Sequence, residues 1–436
     1  MPRARKPTLP DVAREAGVSR ATAGRVLGRY GYASSEVAER VLAAAERLGY
    51  RPNAVARALV TRRSHTIGVI GADIENAFFA RAMRGISDVA EERGFDVLLT
   101  NSDERVDKER AAIRTLVAKQ VDGIVLAPAS SQASEHLVEI VASGTPVVLF
   151  DRAVAGLAAD AVVVDNTASA QAATEHLLGL GHDRIAIVTE LGDRATEPER
   201  RAWFRHLLAN QDEATSWLPG TSRLLGYLLA HRAAGVPVQP ELVRLCRYDR
   251  QAAAEETRRA VLDLGATALF AVDSLMMLGA FEAVVGAKLE VPRQVSLVGF
   301  DDLDWTALVT PPLTVVAQPV YELGAVAARQ LVERIEGLTG PPRTTVLPTH
   351  LVHRQSTGTP PPRGATGTPP PRDATAPPRS AAPRTVRVPD SASAAPTPSS
   401  PHSTSAAPAG AASPPANGSH AGTEARAMPA RRARRG

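Results

Sequence analysis

Between Thr8 and Val60 the sequence TLPDVAREAGVSRATAGRVLGRYGYASSEVAERVLAAAERLGYRPNAVARALV sets helix starts and stops so close together that only short helices around one small core can result. Thr8 followed by Asp11 has the spacing of a cap with an acidic residue at the third helical position, so a first helix runs to Ala16 and stops at Gly17. Ser19 caps a second helix through Leu27, with Val18 packing back from outside the cap and Val26 and Leu27 facing inward with Val12 and Ala16. That is a helix-turn-helix. Ser34 caps a third helix, whose apolar residues Val37, Val41, Ala44, Ala45 and Leu48 follow helical spacing, and Gly49 ends it.

Short helices around a glycine turn also occur in enzymes, so the pattern alone leaves a generic three-helix bundle open. Charge separates the readings. Met1 to His65 carries 13 Lys and Arg against 5 Asp and Glu, a net of +8. Arg20 and Arg25 lie on the second helix, with Arg29 just past its end. That is the electrostatic footprint of a surface that meets a phosphate backbone.

The blocks DVAREAGVSRATAGRVL and ERVLAAAERLGYRPNAVARAL resemble the head of the lactose-repressor (LacI) family of transcription regulators. The resemblance implies that the second helix lies in the major groove and that residues just after the serine cap choose the bases. By position these are Arg20 and Ala21, with Arg25 one turn on and Thr8, Ser19 and Thr22 beside them as further DNA contacts. Arg20 either donates a bidentate pair to a guanine edge or neutralises a phosphate. The sequence departs from the family at Ala23-Gly24, where Val-Ser is common. Gly24 inside a helix costs about 0.5–1 kcal/mol relative to Ala and removes a polar contact.

Arg51 to Leu59 continues the resemblance. Asn53 can cap a helix over Ala54–Leu59, far shorter than the ~12–15 residues an isolated helix needs in water. A flexible linker is the plainer reading of the same residues. In the family this helix folds when two copies meet on the operator, and the leucine at the position of Leu59 wedges into the minor groove. Asn53, Ala56 and Leu59 are the contacts the resemblance implies here.

At 436 residues the chain exceeds one ordinary domain. Its net charge of +4 is uneven: residues 357–436 carry 10 basic and 3 acidic side chains, which leaves −11 for the middle. The middle is therefore not a nucleic-acid surface. Cys246 is the single cysteine, which excludes an intrachain disulfide and any multi-cysteine metal site and suits a reducing cytosol. No apolar run approaches the ~20 residues of a membrane span, and no secretory signal is expected.

From Thr66 short apolar runs alternate with amphipathic segments. Residues 67–70, 96–99, 123–126, 147–150 and 161–164 read as buried parallel strands, with helices at 79–93, 108–119 and 135–142 between them. A second set follows, with strands at 184–188, 268–272 and 295–298 and helices at 168–180, 223–234, 252–264 and 275–287. Two doubly wound sheets in succession imply an α/β protein of two lobes with a cleft between them. Ligands of such sheets sit beyond the carboxyl ends of the strands, where this chain places Asp73, Asn101, Asp151-Arg152, Asp273 and Asp301-Asp302. Taken singly, each is an ordinary cap or loop residue. Together, carboxylates and guanidinium groups suit hydroxyl-rich ligands of the sugar type. No glycine-rich phosphate loop, HExxH or local Ser/His/Asp signature is present, so neither a cofactor nor a metal is expected and the chain does not read as an enzyme.

The resemblance extends to about Ser356 through IGVIGADIENAFFARAMRGI, VDGIVLAP, TPVVLFDR, GHDRIAIV, SLVGFDD, PPLTVV and LPTHLVHRQST. It implies a regulatory domain with the fold of periplasmic sugar-binding proteins, interleaved as roughly 66–164 plus 318–346 and 165–317 plus 347–356. It also implies effector contacts at Asp73, Phe78, Asp151, Asp273, Asp301 and the arginine of an RxxG-aromatic block. Arg223-Leu224-Leu225-Gly226-Tyr227 fits that block unaltered, whereas Glu199 to Phe204 fits it only with Trp203 in place of glycine. With Arg223 chosen, residues 193–219 become an insertion, either a helical flap with a small core of its own or a carrier of Trp203 and Trp217 into the cleft.

Residues 357–436 are rich in Pro, Ala, Ser and Thr, end in RRARRG, and cannot bury enough surface to offset chain entropy, so disorder is expected. The terminal arginines either add salt-sensitive DNA affinity or do nothing. The expected organisation is thus a small all-α helix-turn-helix head at 8–50, a hinge helix and linker at 51–65, a two-lobe periplasmic-binding-protein-like domain at 66–356 for effector binding and dimerisation, and a disordered tail. The function expected is a cytoplasmic, homodimeric regulator, a repressor of palindromic double-stranded operator DNA, controlled by a sugar-like effector. A sugar-binding protein of transport and an enzyme on a doubly wound scaffold are the alternatives. The head argues against the first, and the absence of any catalytic signature against the second.

Overall fold

A computed structural model of the chain describes residues 7–28, 32–51, 63–131, 134–190, 197–209 and 218–362. The head is three helices, α1 (Leu9–Glu15), α2 (Arg20–Gly28) and α3 (Ser35–Leu48). The Asp11 carboxylate accepts from both the backbone N–H of Thr8 (2.9 Å) and its hydroxyl (2.6 Å), which closes the first turn of α1. Gly17, at φ +64°, makes the turn that lets α2 cross α1. The Ser34 hydroxyl accepts from the N–H of Val37, and Gly49 ends α3 in the left-handed conformation. Val12, Ala13, Ala16, Ala23, Leu27, Val41, Ala44 and Ala45 form the small core, with Val18, Val26, Val37 and Leu48 packed against it. The proposed hinge over 51–65 falls mostly outside the described residues, as do Asn53, Ala56, Leu59 and the tail beyond residue 362.

From Thr66 the chain builds two six-stranded sheets. The first takes β1 (Thr66–Gly71), β2 (Asp96–Asn101), β3 (Gly123–Leu126), β4 (Val147–Phe150) and β5 (Asp160–Val164), joined by α4 (Ala77–Glu92), α5 (Val106–Ala118) and α6 (Glu135–Ala142). The chain then passes through α7 (Asn166–Gly179) into the second sheet. Here it lays down β6 (Ile185–Glu190), α8 (Glu197–Ala209), α9 (Pro219–Ala234), β7 (Val243–Cys246), α10 (Arg250–Arg258), β8 (Ala268–Ala271), α11 (Ser274–Gly286), β9 (Ser296–Phe300), α12 (Asp304–Leu308) and β10 (Thr314–Ala317). It returns through α13 (Val320–Ile335) to β11 (Thr344–Leu347) in the first sheet and ends on β12 (His350–Val352) in the second.

The strand orders are β11-β5-β4-β3-β1-β2 and β12-β10-β9-β8-β6-β7, so the two lobes repeat one topology. They differ at one edge, where β11 runs parallel to β5 and β12 antiparallel to β10. The interleaving means that three connections cross between lobes, after β5, after β10 and after β11. Ser169 and Thr349, from two of these crossings, share a hydroxyl hydrogen bond of 2.6 Å.

Four expectations are corrected. Residues 96–99 do not form a buried strand: β2 is the sheet edge, and Leu98 and Leu99 are exposed. The second sheet holds β7, β10 and β12 beyond the three strands expected for it. The insertion does not build a core of its own, because Phe204 and Leu207 of α8 are buried in the core of the second lobe. The side chain of Trp203 and all of Trp217 lie outside the described residues. Finally, the chain is tied down past Ser356: the N–H of Gly358 donates to the Ser296 hydroxyl (3.0 Å), and its carbonyl lies 2.9 Å from Nε2 of His182.

Candidate functional site

The carboxyl ends of β4 and β9 make the same corner twice. In the first lobe Phe150 is followed by Asp151, in the second Phe300 by Asp301, and both aspartates hold a positive φ, 69° and 75°. Each N–H donates to the neighbouring strand, Asp151 to the carbonyl of Val162 (3.0 Å) and Asp301 to that of Val316 (2.9 Å). A left-handed backbone at a residue with a side chain costs free energy and is kept where surrounding structure dictates it. Here it swings each carboxylate off its strand toward the space between the lobes.

That space is a cavity of about 220 Å³ walled by both lobes. Five of the six residues expected to bind an effector and one neighbour, Arg152, meet there: Phe78, Asp151 and Arg152 from the first lobe, Arg223, Asp273 and Asp301 from the second. Asp73 is not among the lining residues, and its carboxylate accepts from the N–H of Glu75 (3.0 Å). Asn101 likewise serves a loop, accepting from the N–H of Ile74. Asp302 points elsewhere and holds Arg354 through two bonds of 2.7 and 2.8 Å.

Electrostatics divides the wall in two. Arg152 is buried and doubly paired, with Nε 2.9 Å from Asp151, Nη1 2.7 Å from Glu104 and Nη2 3.1 Å from Glu104. Burial works against its charge, and these two carboxylates overcome that, so its pKa rises far above the usual arginine range. Arg223 is buried as well but has no carboxylate within ion-pair distance among the described residues. Its Nε donates to Asn166 (2.8 Å), its Nη1 to the carbonyl of Val272 (2.6 Å), and its guanidinium stacks 3.6 Å above the ring of Phe300. Desolvation pushes its pKa down from the usual value.

Asp273 caps α11, accepting from the N–H groups of Leu275 and Met276, both at 2.8 Å. Asp301 accepts from the N–H of Ser274 (3.2 Å) and from the amide of Gln318. Burial raises both carboxyls, that of Asp273 to about 7, with Glu190 adding to the rise and the N–H of Met276 and Arg223 opposing it.

Asn76 joins the lobes. Its side chain caps α4 by accepting from the N–H of Phe78 (2.9 Å), accepts from the Ser274 hydroxyl (3.1 Å) and donates to the Tyr248 hydroxyl (2.7 Å). Burial pushes the Tyr248 phenol up, so it stays protonated. Sequence reasoning missed Asn76, Phe79, Glu104, Glu190, Tyr248 and Gln318 as lining residues. Asn76 and Glu190 carried a usable signal, since each lies at or just past a strand end on the cleft side.

In the head, Ser19, Arg20, Ala21 and Arg25 are exposed on one side of α2. The Ser19 hydroxyl accepts from the N–H of Thr22 (3.1 Å) and lies 2.9 Å from its hydroxyl, so the start of α2 is capped with its basic side chains projecting free of the head core. Ala23, one of the two departures from the family pattern, is fully buried in that core.

Comparison with known proteins agrees with this division. Residues 8–53 match the family description "bacterial regulatory proteins, lacI family", and residues 174–357 match a periplasmic binding protein-like domain. Catabolite control protein A of Priestia megaterium is 34% identical over 351 residues, covering 80% of this chain and 99% of that protein. Among solved structures, a transcriptional regulator CelR–cellobiose complex is 29% identical with a TM-score of 0.57, covering 80% of this chain and 99% of that one. A lac repressor dimer bound to operator and an anti-inducer is 24% identical with a TM-score of 0.67, covering 81% and 100%, a likeness of fold. The family is one of DNA-binding transcription regulators and not of enzymes. With its head, its two-lobe domain and a relative matched along nearly the whole of that relative's length, the chain belongs to the LacI family of bacterial regulatory proteins.

Proposed function

We infer that the protein is a sequence-specific transcription regulator, a repressor, whose grip on a palindromic operator is set by a small hydroxyl-rich effector in the interlobe cavity. The observation that carries the reading is the cavity itself, where side chains from both lobes converge on one space and Asn76 bonds across it. A ligand there touches both lobes at once, so it binds one arrangement of them better than another, and only such a difference can shift an equilibrium. The chain acts as a homodimer in the cytoplasm, carries no catalytic centre, and reads its half-sites with Arg20, Ala21 and Arg25, supported by Thr8, Ser19 and Thr22. Asn53, Ala56 and Leu59 form the conditional hinge contact. Among the described residues no helix is long and apolar enough to cross a membrane.

Selection of bound sequences from a random DNA pool, with and without candidate sugars, tests this. The expected outcome is an enriched palindrome whose recovery changes with one ligand, and Leu59→Ala weakens its binding while leaving ligand binding nearly intact. Recovery of no motif, or of a non-symmetric one, counts against the reading.

A further inference from the structure

The chain enters the two-lobe domain through Arg63, Ser64 and His65, directly after the segment that joins it to the head. One carboxylate fastens two of them. Asp122, half-buried just before β3, accepts from the Ser64 N–H (2.8 Å) and hydroxyl (3.1 Å) with one oxygen and from the His65 N–H (2.8 Å) with the other. The Arg63 guanidinium donates to the carbonyl of Ile335 (3.0 Å), the last residue of α13. The His65 carbonyl accepts from the N–H of Asp96 (2.8 Å), where β2 begins. Each of these partners belongs to the first lobe.

The fastening precedes the sheet. β1 begins at Thr66, and its pairing with β2 and β3 holds the chain from there on. His65 sits at φ 52°, a left-handed backbone that costs free energy in a residue with a side chain and persists where its surroundings dictate it. Asp122 is part of those surroundings, and the turn it holds fixes the direction in which the chain leaves the lobe toward the head. Reach gives that direction its weight. A residue spans at most about 3.3–3.6 Å, so three residues released from the lobe would give each head up to ~10 Å of slack. One base pair of duplex rises about 3.4 Å. A released exit would therefore absorb a change of one base pair between two half-sites, and a clamped one would not.

We propose that Asp122 is a positioning residue for operator recognition: by clamping Ser64 and His65 it fixes where each linker leaves its first lobe, and so sets the half-site spacing that the dimer accepts. This rests on the reading of the chain as a dimeric regulator of a palindromic operator, and adds the residue that sets the spacing. In dimeric helix-turn-helix proteins half-site spacing follows from the geometry of the dimer. Asp122 lies outside the head, so the contact of α2 with a single half-site does not depend on it.

The test uses the full chain and four duplexes in gel-shift titrations: the palindrome selected from a random DNA pool, the same palindrome with one base pair added or removed at its centre, and a single half-site. The parent binds the selected spacing tenfold or more tightly than either altered one. Asp122→Ala binds the selected palindrome several-fold more weakly than the parent does, the altered palindromes at least threefold more tightly than the parent does, and the half-site within twofold of the parent. Asp122→Asn, which keeps one acceptor oxygen, falls between the two and carries the same comparison if the alanine variant does not fold. Loss of the fold or of the dimer cannot produce the gain on altered spacings, because it weakens all three palindromes alike. A parent without a spacing preference, variants that keep the parent's preference, or variants that weaken all three palindromes alike overturn the proposal. Selection of no palindrome overturns the regulator reading beneath it, and the proposal with it.

Discussion

The two strand-end corners, Phe150-Asp151-Arg152 and Phe300-Asp301-Asp302, share a backbone and differ in how their charge is finished. Both sit at the carboxyl end of the same strand of the repeated topology, and both hold the aspartate at a positive φ. In the first lobe the next residue is an arginine that folds back on the aspartate. In the second the next residue is another aspartate, which turns away to Arg354 and secures the chain after β12. The first corner is closed electrostatically before any ligand arrives. At the second, Asp301 has no guanidinium within ion-pair distance among the described residues and is satisfied by the N–H of Ser274 and the amide of Gln318, which leaves it the more open to a ligand. A repeated fold can thus keep one geometry while assigning its two halves different work, one as a fixed wall and one as a receptor.

The largest effect that separates the corners is on stability. Arg152→Met strands the buried Asp151 and part-buried Glu104 without their cation, and removal of one partner of a buried pair costs about 3 kcal/mol or more. A urea unfolding midpoint well below that of the parent is expected, with partial recovery when Glu104→Gln is added. Asp301→Asn removes a carboxylate that has no paired guanidinium, so its midpoint stays within about 1 kcal/mol of the parent while ligand binding is lost. Equal destabilisation by the two changes would erase the distinction between the corners.

Next in size is a pH effect. The Asp273 carboxyl is raised in the folded protein to about 7, above its value of ~3.9 in an unfolded chain. A group raised on folding favours the folded state fully below its unfolded value, and that contribution is lost as pH rises toward 7. The parent should therefore lose stability between about pH 4 and 7 more steeply than Asp273→Asn, which retains a capping side chain. Parallel stability profiles would show that Asp273 is not held up by burial. The smallest effect is expected from Gly220→Ala, whose Cβ meets the Glu190 carbonyl as well as its carboxylate. It should shift the start of α9 and weaken effector binding several-fold with only a modest loss of stability, read by calorimetric titration.

Much of this was legible in the sequence because it is written locally. Thr8, Ser34, Gly17 and Gly49 set the helices of the head through interactions three or four residues long, and the apolar runs of β1, β3, β4 and β8 announce buried strands. Asp151, Arg223, Asp273 and Asp301 could be singled out because strand ends and one short motif fix their place. What was not legible depends on distance along the chain. Asn76 meets Tyr248 and Ser274 from 172 and 198 residues away, and nothing near Asn76 encodes its partners. Asp73 satisfied the same strand-end rule as Asp151 yet turns back onto its own loop, since no positive φ swings it outward. The edge strand β2 was misjudged because Val97, Leu98 and Leu99 are as apolar as a buried run, and only the sheet order shows that one side has no neighbour. β7 escaped because Val243-Arg244-Leu245-Cys246 is short and carries a charge.

The central claim is that the cavity and the operator are linked through the arrangement of the lobes, and linkage is reciprocal. Titrating the ligand that changes operator recovery into the free protein, and again into the protein saturated with its selected operator, measures that link directly. The account predicts dissociation constants that differ by at least fivefold, matched by the same factor in operator affinity with and without the ligand, and lost in Arg223→Met. Equal constants for free and operator-bound protein would contradict it.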